Sequence, residues 1–246
     1  MKRWLLRLLA AALLTAACPA PTAVPTGPPV VRAVGDLRAA DRIVVLVPGV
    51  DTTSENFDRG HGDVAHRSPH WQARQLHAAC GGRVAVVAWL GYLPPDGIGL
   101  AAARSERAMA GATALTGYVR QLATARPHAT ITVIGHSYGS LVLAYAAARL
   151  PVQVTDIVVL GSPGLDVGNA DQLRTGARLW VGTAEGDWTR RIPEVRILGL
   201  GHGTNPSRPS FGARYLNVSG AEGHDGYFLP GTTSLRSLAT VALGES

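Results

Sequence analysis

One strand–turn–helix segment constrains the fold more than any other part of the chain. The β-branched run Thr130–Ile134 predicts a buried strand, and Ser140–Leu150 predicts a packed helix. Between them lies a Gly-x-Ser-x-Gly turn, in which Gly135 and Gly139 leave room for a tight, strained backbone. Such a turn lifts the hydroxyl of Ser137 above the sheet, at the N-terminus of a helix. The pattern therefore predicts a serine nucleophile.

A serine nucleophile of this kind needs a histidine base on a loop that follows a later strand. His224 lies in a polar, glycine-rich loop just after the strand-like segment Arg214–Val218. His202 also follows an apolar run, but it precedes what we expect to be the final strand. We therefore predict His224 as the base and keep His202 as the alternative.

The acid that orients the base should follow a strand that lies between the serine and the histidine. Arg178–Gly182 is a short apolar strand that runs into a turn carrying two carboxylates, Glu185 and Asp187. Asp187 lies where a carboxylate can reach a histidine Nδ1, fix its tautomer and stabilise the imidazolium. We predict Asp187 as the acid, with Glu185 as its competitor. Asp166 follows the preceding strand and is the weaker candidate.

Two backbone amides are needed to bind the oxyanion of an acyl-transfer reaction. The first is predicted to be the N–H of Tyr138, the residue after the serine. The second should follow an earlier central strand, and the continuous β-branched run Ile43–Val47 is typical of a strand covered on both faces. Pro48-Gly49 follows this strand. We predict Val50 as the second donor and keep Asp51 as the alternative.

Four segments of this sequence carry a family resemblance. They are Val47-Pro-Gly-Val-Asp-Thr-Thr53, Gly135-His-Ser-Tyr-Gly-Ser-Leu-Val-Leu143, Leu160-Gly-Ser-Pro-Gly164 and Gly223-His-Asp-Gly-Tyr227. Together they resemble an uncharacterised family of actinobacterial α/β-hydrolases, over roughly residues 41–243. The resemblance implies the α/β-hydrolase fold and gives Ser137 and His224 their roles by motif, whereas Asp187 matches only by position. Many such hydrolases carry His-Gly where this chain has Pro-Gly, and the resemblance names no substrate.

Strand-like and helix-like segments alternate along the rest of the chain. Strands at 84–89 and 156–160, with helices at 68–80, 108–126 and 234–243, give a βαβ pattern. This pattern predicts the α/β fold class, with a mostly parallel central sheet and helices on both faces. Only about 17 residues separate two successive late strands, so we expect little or no lid.

The first 17 residues predict a targeting signal that is not part of the fold. Met1–Trp4 is positively charged, Leu5–Thr15 is a short apolar run, and small residues precede Cys18. We therefore expect an exported protein, with 1–17 as signal peptide, 18–37 as a Pro/Ala/Thr-rich tether and 38–246 as one α/β-hydrolase domain. Small residues that end at a cysteine favour lipidation of Cys18 and anchoring on the outer side of the cell membrane. Free secretion is the alternative.

Charge and cysteine content exclude several kinds of partner and cross-link. The net charge is +6, half of it from Lys2, Arg3 and Arg7, and the other arginines are scattered, so we expect no nucleic-acid partner. With Cys18 outside the domain, Cys80 stands alone and no internal disulfide is expected. Three histidines between residues 61 and 70 lack the spacing of a metal site, and we expect neither a metal nor a cofactor.

Two classes of function follow from these residues. The first is a serine hydrolase that uses a Ser137–Asp187–His224 triad and an acyl-enzyme on an ester, thioester or lipid-like acyl substrate at the cell envelope. An acyltransferase would use the same groups, with an acceptor alcohol in place of water. The second class is a catalytically silent hydrolase fold that serves as a binding or envelope-assembly module. The intact order of serine, acid and histidine favours an enzyme, specifically a carboxylic ester hydrolase.

Overall fold

The architecture is a seven-stranded sheet, which the computed structural model describes within residues 29–246. Its strands are β1 (Val30–Val34), β2 (Arg42–Val47), β3 (Ala85–Leu90), β4 (Thr130–His136), β5 (Val154–Leu160), β6 (Arg178–Gly182) and β7 (Arg214–Tyr215). Their order across the sheet is β1-β3-β2-β4-β5-β6-β7. β1 pairs antiparallel with β3, and the other pairings are parallel.

Helices pack against this sheet in two pairs. They are α1 (Pro69–Ala79), α2 (Glu106–Ala125), α3 (Gly139–Ala146) and α4 (Thr233–Ala242), with short 3₁₀ turns at His61–Asp63, Ala65–Arg67, Ala147–Arg149, Ala170–Leu173, Trp188–Arg191, Pro209–Phe211 and Gly226–Phe228. α1 contacts α4, and α2 contacts α3. The central residues of β2 and β4 are buried in unbroken runs, as expected where both faces of a sheet are covered. The predicted α/β fold class is confirmed.

Local sequence explains where two of the helices begin and end. The hydroxyl of Ser68 accepts a hydrogen bond from the N–H of Trp71 at 3.0 Å, and Pro69 occupies the first helical position of α1. The predicted helix at 68–80 is therefore confirmed. α3 is shorter than predicted, because a single 3₁₀ turn replaces its last residues and Leu150 is extended. Leu150 precedes a proline, which disfavours helical backbone at that position.

Two predicted boundaries were wrong at the edges of the sheet. β1 lies inside the segment 18–37 that we predicted as a tether, with Val30 opposite Leu90 and Val34 opposite Val86. Because β1 is part of the sheet, the domain begins earlier than residue 38. The short sequence of β1 gives no local sign of its partner strand. β7 is only two residues long, although we predicted a strand at 214–218. The predicted signal peptide and Cys18 lie outside the described residues.

The parallel register brings several strand ends to one edge of the sheet. Val47 of β2 lies opposite Gly135 of β4, His136 lies opposite Leu160 of β5, and Leu160 lies opposite Gly182 of β6. The loops that follow these strands therefore open at the same carboxyl edge, where open α/β sheets bind their ligands. None of the helices within residues 29–246 has the length and apolar character needed to cross a bilayer.

Candidate active site

Ser137 occupies the sharp turn between β4 and α3. Its φ is 56°, a left-handed conformation that is rare for a residue other than glycine and is typical of a strained functional turn. A side chain at Gly135 would lie 2.7 Å from the carbonyl oxygen of Gly139, and one at Gly139 would lie 2.3 Å from that of Val47. Both glycines of the motif are thus required by close backbone contacts, and the turn predicted from the sequence is present.

A cavity of about 260 Å³ opens at the carboxyl edge of the sheet. Its lining includes Ser137, His224, Trp188 and the loop after β2, which carries Gly49 and Val50. A methyl group on Gly49 would lie 2.5 Å from Cβ of Ser137 and 3.0 Å from its Oγ. Only glycine therefore lets this loop approach the serine so closely, which explains the glycine at position 49.

Asp187 and His224 meet beside this cavity. Nδ1 of His224 lies 2.9 Å from Oδ1 and 3.0 Å from Oδ2 of Asp187. The carboxylate is buried and is also bound by Thr189, whose N–H and hydroxyl each donate to Oδ1 at 2.8 Å. The hydroxyl of Tyr227 donates to Oδ2. The carboxylate thus holds the Nδ1 edge of the imidazole in a fixed orientation.

The surroundings of Asp187 keep it ionised. Burial raises its pKa, but hydrogen bonding and charge attraction from His224 act in the opposite direction, helped by the donors Tyr227 and Thr189. Together these interactions outweigh the effect of burial and lower the pKa of Asp187 to about 2. An ionised carboxylate can only accept a hydrogen bond, so Nδ1 of His224, which faces it, carries a proton.

The second nitrogen of His224 is available for chemistry. Within residues 29–246, Nε2 is buried and has no hydrogen-bond partner. A buried polar atom of this kind is costly unless it has a role or a ligand to bind. His224 and Ser137 line the same cavity, without a hydrogen bond between them among the described residues.

The N–H groups of Val50 and Tyr138 are the predicted donors to an oxyanion. Val50 lies in the loop after β2 and Tyr138 follows the serine, and neither N–H has a backbone acceptor within residues 29–246. The alternative donor, Asp51, is occupied, since its N–H donates to the carbonyl of Pro95 at 3.0 Å. The geometry therefore favours Val50 over Asp51 as a free donor.

Three aromatic residues of the site were missed by sequence reasoning. His136 donates from Nε2 to the backbone carbonyl of His224 at 2.7 Å, and the two rings lie 4.6 Å apart. The centroid of the Trp188 ring lies 4.8 Å from that of His224. Tyr227 contacts Asp187 through its hydroxyl. His136 and Tyr227 stand inside the motifs quoted above, but nothing in those motifs indicates which group each one contacts.

His136 is a neutral histidine at neutral pH. Burial lowers its pKa, the charge of His224 lowers it further, and the resulting pKa is about 4. Nε2 carries the proton, because a backbone carbonyl can only accept. His136 therefore supports the backbone of the loop that carries His224 and does not compete as a base.

The alternative residues occupy other places. Nε2 of His202 lies 2.5 Å from the carbonyl of Ala102, and its Nδ1 lies 4.0 Å from Asp166. Asp166 in turn accepts from Ser105 at 2.6 Å. Glu185 is exposed. None of the three alternatives contacts His224 or Ser137 among the described hydrogen bonds, so the structure brings Asp187 and His224 together and leaves the others apart.

One group of side chains has the composition of a metal site. The ligand atoms of His136, His224 and Asp225 lie within 4.8 Å of one another. However, Nε2 of His136 binds a carbonyl and the carboxylate of Asp225 accepts from Arg67 at 2.9 Å. These bonds hold the His224 loop in place, so the three residues are better explained as its support than as a cage for an ion.

The family model described as "Alpha/beta hydrolase" matches residues 25–197 of this chain. The chain belongs to the alpha/beta hydrolase family. The match includes Ser137 and Asp187 of the hydrolase but ends before His224, whose place is given by the geometry above.

Curated relatives of this hydrolase are uncharacterised mycobacterial proteins. One from Mycobacterium tuberculosis is 29% identical over 243 residues, covering 87% of this chain and 36% of the relative. Another, from Mycobacterium bovis, is 35% identical over 149 residues, covering 57% of this chain and 54% of the relative. The hydrolase thus spans about a third to a half of the length of the relatives it matches.

Solved structures share the fold at low sequence identity. Esterase PE8 aligns with a TM-score of 0.57 at 16% identity, covering 89% of this chain and 99% of that one. A predicted CIB-like hydrolase from Thermoplasma acidophilum aligns with a TM-score of 0.52 at 14% identity, covering 90% and 94%. These likenesses support the hydrolase fold and leave the substrate open.

Proposed function

We propose that this hydrolase is a serine esterase that uses Ser137, His224 and Asp187 as a catalytic triad. The observation that carries the proposal is the state of His224. Its Nδ1 is held by a buried, ionised carboxylate at 2.9 Å, its Nε2 is unpartnered, and the residue lines the same cavity as the strained serine. In this arrangement Nδ1 of the proposed base is fixed by Asp187, and Nε2 is left to take the proton of Ser137.

The proposed reaction begins with attack of Ser137 Oγ on the acyl carbon of an ester. As the O–C bond forms, Nε2 of His224 takes the hydroxyl proton, and the N–H groups of Val50 and Tyr138 bind the developing oxyanion. The C–O bond to the leaving alcohol then breaks, and Nε2 gives its proton to the alkoxide. The product of this half-reaction is an acyl-enzyme on Ser137.

Water completes the cycle. Nε2 of His224 removes a proton from water as the oxygen attacks the acyl carbon, and the same proton returns to Oγ when the acid leaves. Asp187 remains ionised and stabilises the imidazolium in both halves, with Tyr227 and Thr189 holding the carboxylate. An acceptor alcohol in place of water would make the same enzyme an acyltransferase.

We further propose that the hydrolase acts outside the cytoplasm on an acyl substrate at the cell envelope. The support is sequence-based: a charged start, a short apolar run, and small residues before Cys18. Lipidation of Cys18 would place the active site near lipid substrates, and free secretion remains the alternative.

A fluorophosphonate probe tests the triad directly. It reacts with an activated serine by forming a P–O bond and expelling fluoride, so wild type is expected to be labelled and to hydrolyse a p-nitrophenyl ester. Ser137→Ala should abolish labelling and lower kcat by several orders of magnitude with the fold intact. Ser54→Ala, an exposed serine on the loop after β2, is the matched control. Labelling of Ser137→Ala equal to that of wild type would refute the assignment.

A further inference from the structure

A buried glutamine in the lining of the proposed catalytic cavity has an unused acceptor. Gln72 of α1 is only 6% exposed and lines the cavity together with Ser137. Its Nε2 donates to the backbone carbonyl of His66 at 2.9 Å, and since a carbonyl can only accept, this bond fixes the orientation of the amide. Oε1 accepts no hydrogen bond within residues 29–246, and it is not one of the fully enclosed polar atoms there. The amide therefore offers an acceptor to a ligand in the cavity.

Arg67 supplies donors to the lining of the same cavity. Its Nε donates to Oδ2 of Asp225 at 2.9 Å, which leaves its two terminal nitrogens without an acceptor in the part of the chain that the structure describes. The Arg67 side chain is 41% exposed, so a ligand can reach these nitrogens. Asp225 also lines the cavity, and its Oδ1 has no donor among the described hydrogen bonds. The pair thus offers both donors and an acceptor, while its formal charges cancel.

The charges of the cavity lining disfavour an ionic ligand. With the histidines counted as neutral, the only other charged group of the lining is the carboxylate of Asp51, which accepts from the N–H of Gly97 at 2.6 Å. An acidic ligand would therefore meet two carboxylates and one guanidinium that is already paired. A cationic ligand has no acceptor, so it would leave the terminal nitrogens of Arg67 unmatched. The cavity is better suited to a neutral ligand that both donates and accepts.

Hydroxyl groups meet both requirements. A hydroxyl donates one hydrogen bond and has two lone pairs with which to accept, so a ligand with two hydroxyls could donate to Oε1 of Gln72 and accept from Arg67. Trp188 lines the cavity as well and provides an apolar wall for the carbon skeleton of such a ligand. The cavity volume of about 260 Å³ is below the range of about 300–1,000 Å³ that is usual for drug-sized ligands, so the ligand should be compact.

We propose that the hydrolase selects compact esters that carry free hydroxyl groups, and that Gln72 and Arg67 determine this preference. The inference rests on the proposed function, because it concerns the substrate of the Ser137 site. Hydroxyls on the alcohol part and on the acyl part of the ester would present the same chemistry to these two residues, and the experiment below distinguishes them. Cationic, acidic and purely apolar esters are the competing substrates.

Matched pairs of esters test this preference in the full chain. Glycerol monoacetate is compared with propyl acetate, and methyl glycerate with methyl propanoate, so that the members of each pair differ only in their hydroxyls. After division by the hydroxide-catalysed rate of each ester, kcat/KM should be about tenfold or more higher for the hydroxylated member of at least one pair, because a site built to bond a hydroxyl discriminates against the analogue that lacks it. The pair that responds shows which part of the ester carries the hydroxyls. Equal values in both pairs would overturn the proposal, as would a higher normalised kcat/KM for acetylcholine or monoethyl succinate than for either hydroxylated ester.

Two substitutions assign the preference to the named residues. Gln72→Leu removes the acceptor from a buried position, and Arg67→Met removes the donors from a half-exposed one, where the loss of packing is small. Each should lower the ratio of kcat/KM within the responding pair several-fold, whereas a general disturbance of His224 would slow both esters alike and leave the ratio unchanged. Gln75→Leu and Arg74→Met, on the same helix but outside the cavity lining, are the matched controls and should keep the wild-type ratio. A wild-type ratio in both Gln72→Leu and Arg67→Met would contradict the role given to these residues.

Failure of this inference can be told from failure of the proposed function. A wild-type protein that reacts with the fluorophosphonate and hydrolyses p-nitrophenyl acetate, but shows equal values in both ester pairs, would refute the hydroxyl preference alone. A wild-type protein that neither reacts with the probe nor hydrolyses any of the esters would refute the proposed function, and the hydroxyl preference with it.

Discussion

The hydroxyl of Tyr227 donates a hydrogen bond to Oδ2 of Asp187 and accepts one from the N–H of Ala184 at 3.1 Å. Tyr227 therefore links the turn after β6 to the short helix after His224. It is one of the donors that lower the pKa of Asp187 against the effect of burial. The phenol thus adds to the effects of His224 and Thr189 in holding the carboxylate and in keeping it ionised.

Removal of this donor should weaken the proposed base without removing any member of the proposed triad. We expect Tyr227→Phe to lower kcat/KM for a p-nitrophenyl ester about tenfold, since a hydrogen bond to a charged group is lost. The pKa of Asp187 should rise in the variant. Tyr215→Phe, on an exposed side chain, is the control. Unchanged kcat/KM in Tyr227→Phe would show that Asp187 is held adequately by its other partners.

His136 should make stability depend on pH. Its folded-state pKa of about 4 lies below the ordinary value of 6.5, so the unfolded chain takes up the proton first as the pH falls. This contribution is fully present above 6.5 and is lost as the pH falls towards 4, by up to about 1.4 kcal/mol per pH unit. Urea unfolding across this range should show a shallower decline for His136→Gln than for wild type. His128→Gln, on an exposed residue, should match wild type.

Gly161 lies close to the side chains of both Asp187 and His224. A methyl group there would lie 2.6 Å from Oδ2 of Asp187 and 3.1 Å from Nδ1 of His224, and the φ of 52° disfavours any side chain. We expect Gly161→Ala to lower kcat about 100-fold, because a small displacement of the base is costly. Gly176→Ala, which meets nothing within 4 Å, is the control. Wild-type kcat in Gly161→Ala would mean that the pair can move without loss.

The two candidate bases can be separated by substitution. His224→Ala should lose both ester hydrolysis and fluorophosphonate labelling, because Ser137 is then left unactivated. His202→Gln should keep most of both, since an amide can still reach the carbonyl of Ala102. If His202→Gln were inactive while His224→Ala stayed active, the base would have to be reassigned.

Lipidation is tested in cells that make the full chain. Growth with an alkyne fatty acid should label wild type and Cys80→Ala but not Cys18→Ala, because Cys80 is buried and Cys18 follows the small residues of the leader. Membrane partitioning should be lost with the label. An unlabelled, soluble wild-type protein that begins near Cys18 would instead indicate ordinary secretion.

Local sequence was sufficient for the parts of this hydrolase that depend on neighbouring residues. The cap at Ser68, the glycines around Ser137 and the placement of Asp187 after β6 follow from backbone sterics and chain order. These features could be predicted because each is determined within a few residues. The same holds for the alternation of strands and helices that fixes the fold class.

Contacts between distant residues could not be predicted in the same way. Tyr227 is 40 residues from Asp187, and His136 is 88 residues from the carbonyl it binds. The pairing of β1 with β3 also depends on a partner more than fifty residues away. A single sequence contains no signal for which of several polar groups will meet, so these partners emerge only from the assembled sheet.

The pairing of β1 also sets how far the domain could reach from a lipid anchor. Because Val30 is already fixed in the sheet, only eleven residues lie between it and Cys18, instead of the nineteen that a domain start at residue 38 would leave. A fully extended chain spans about 3.5 Å per residue, so the segment between Cys18 and Val30 can span about 40 Å at most. That is comparable to the diameter of the domain itself. A lipidated Cys18 would therefore keep the near edge of the domain within about one molecular width of the membrane surface.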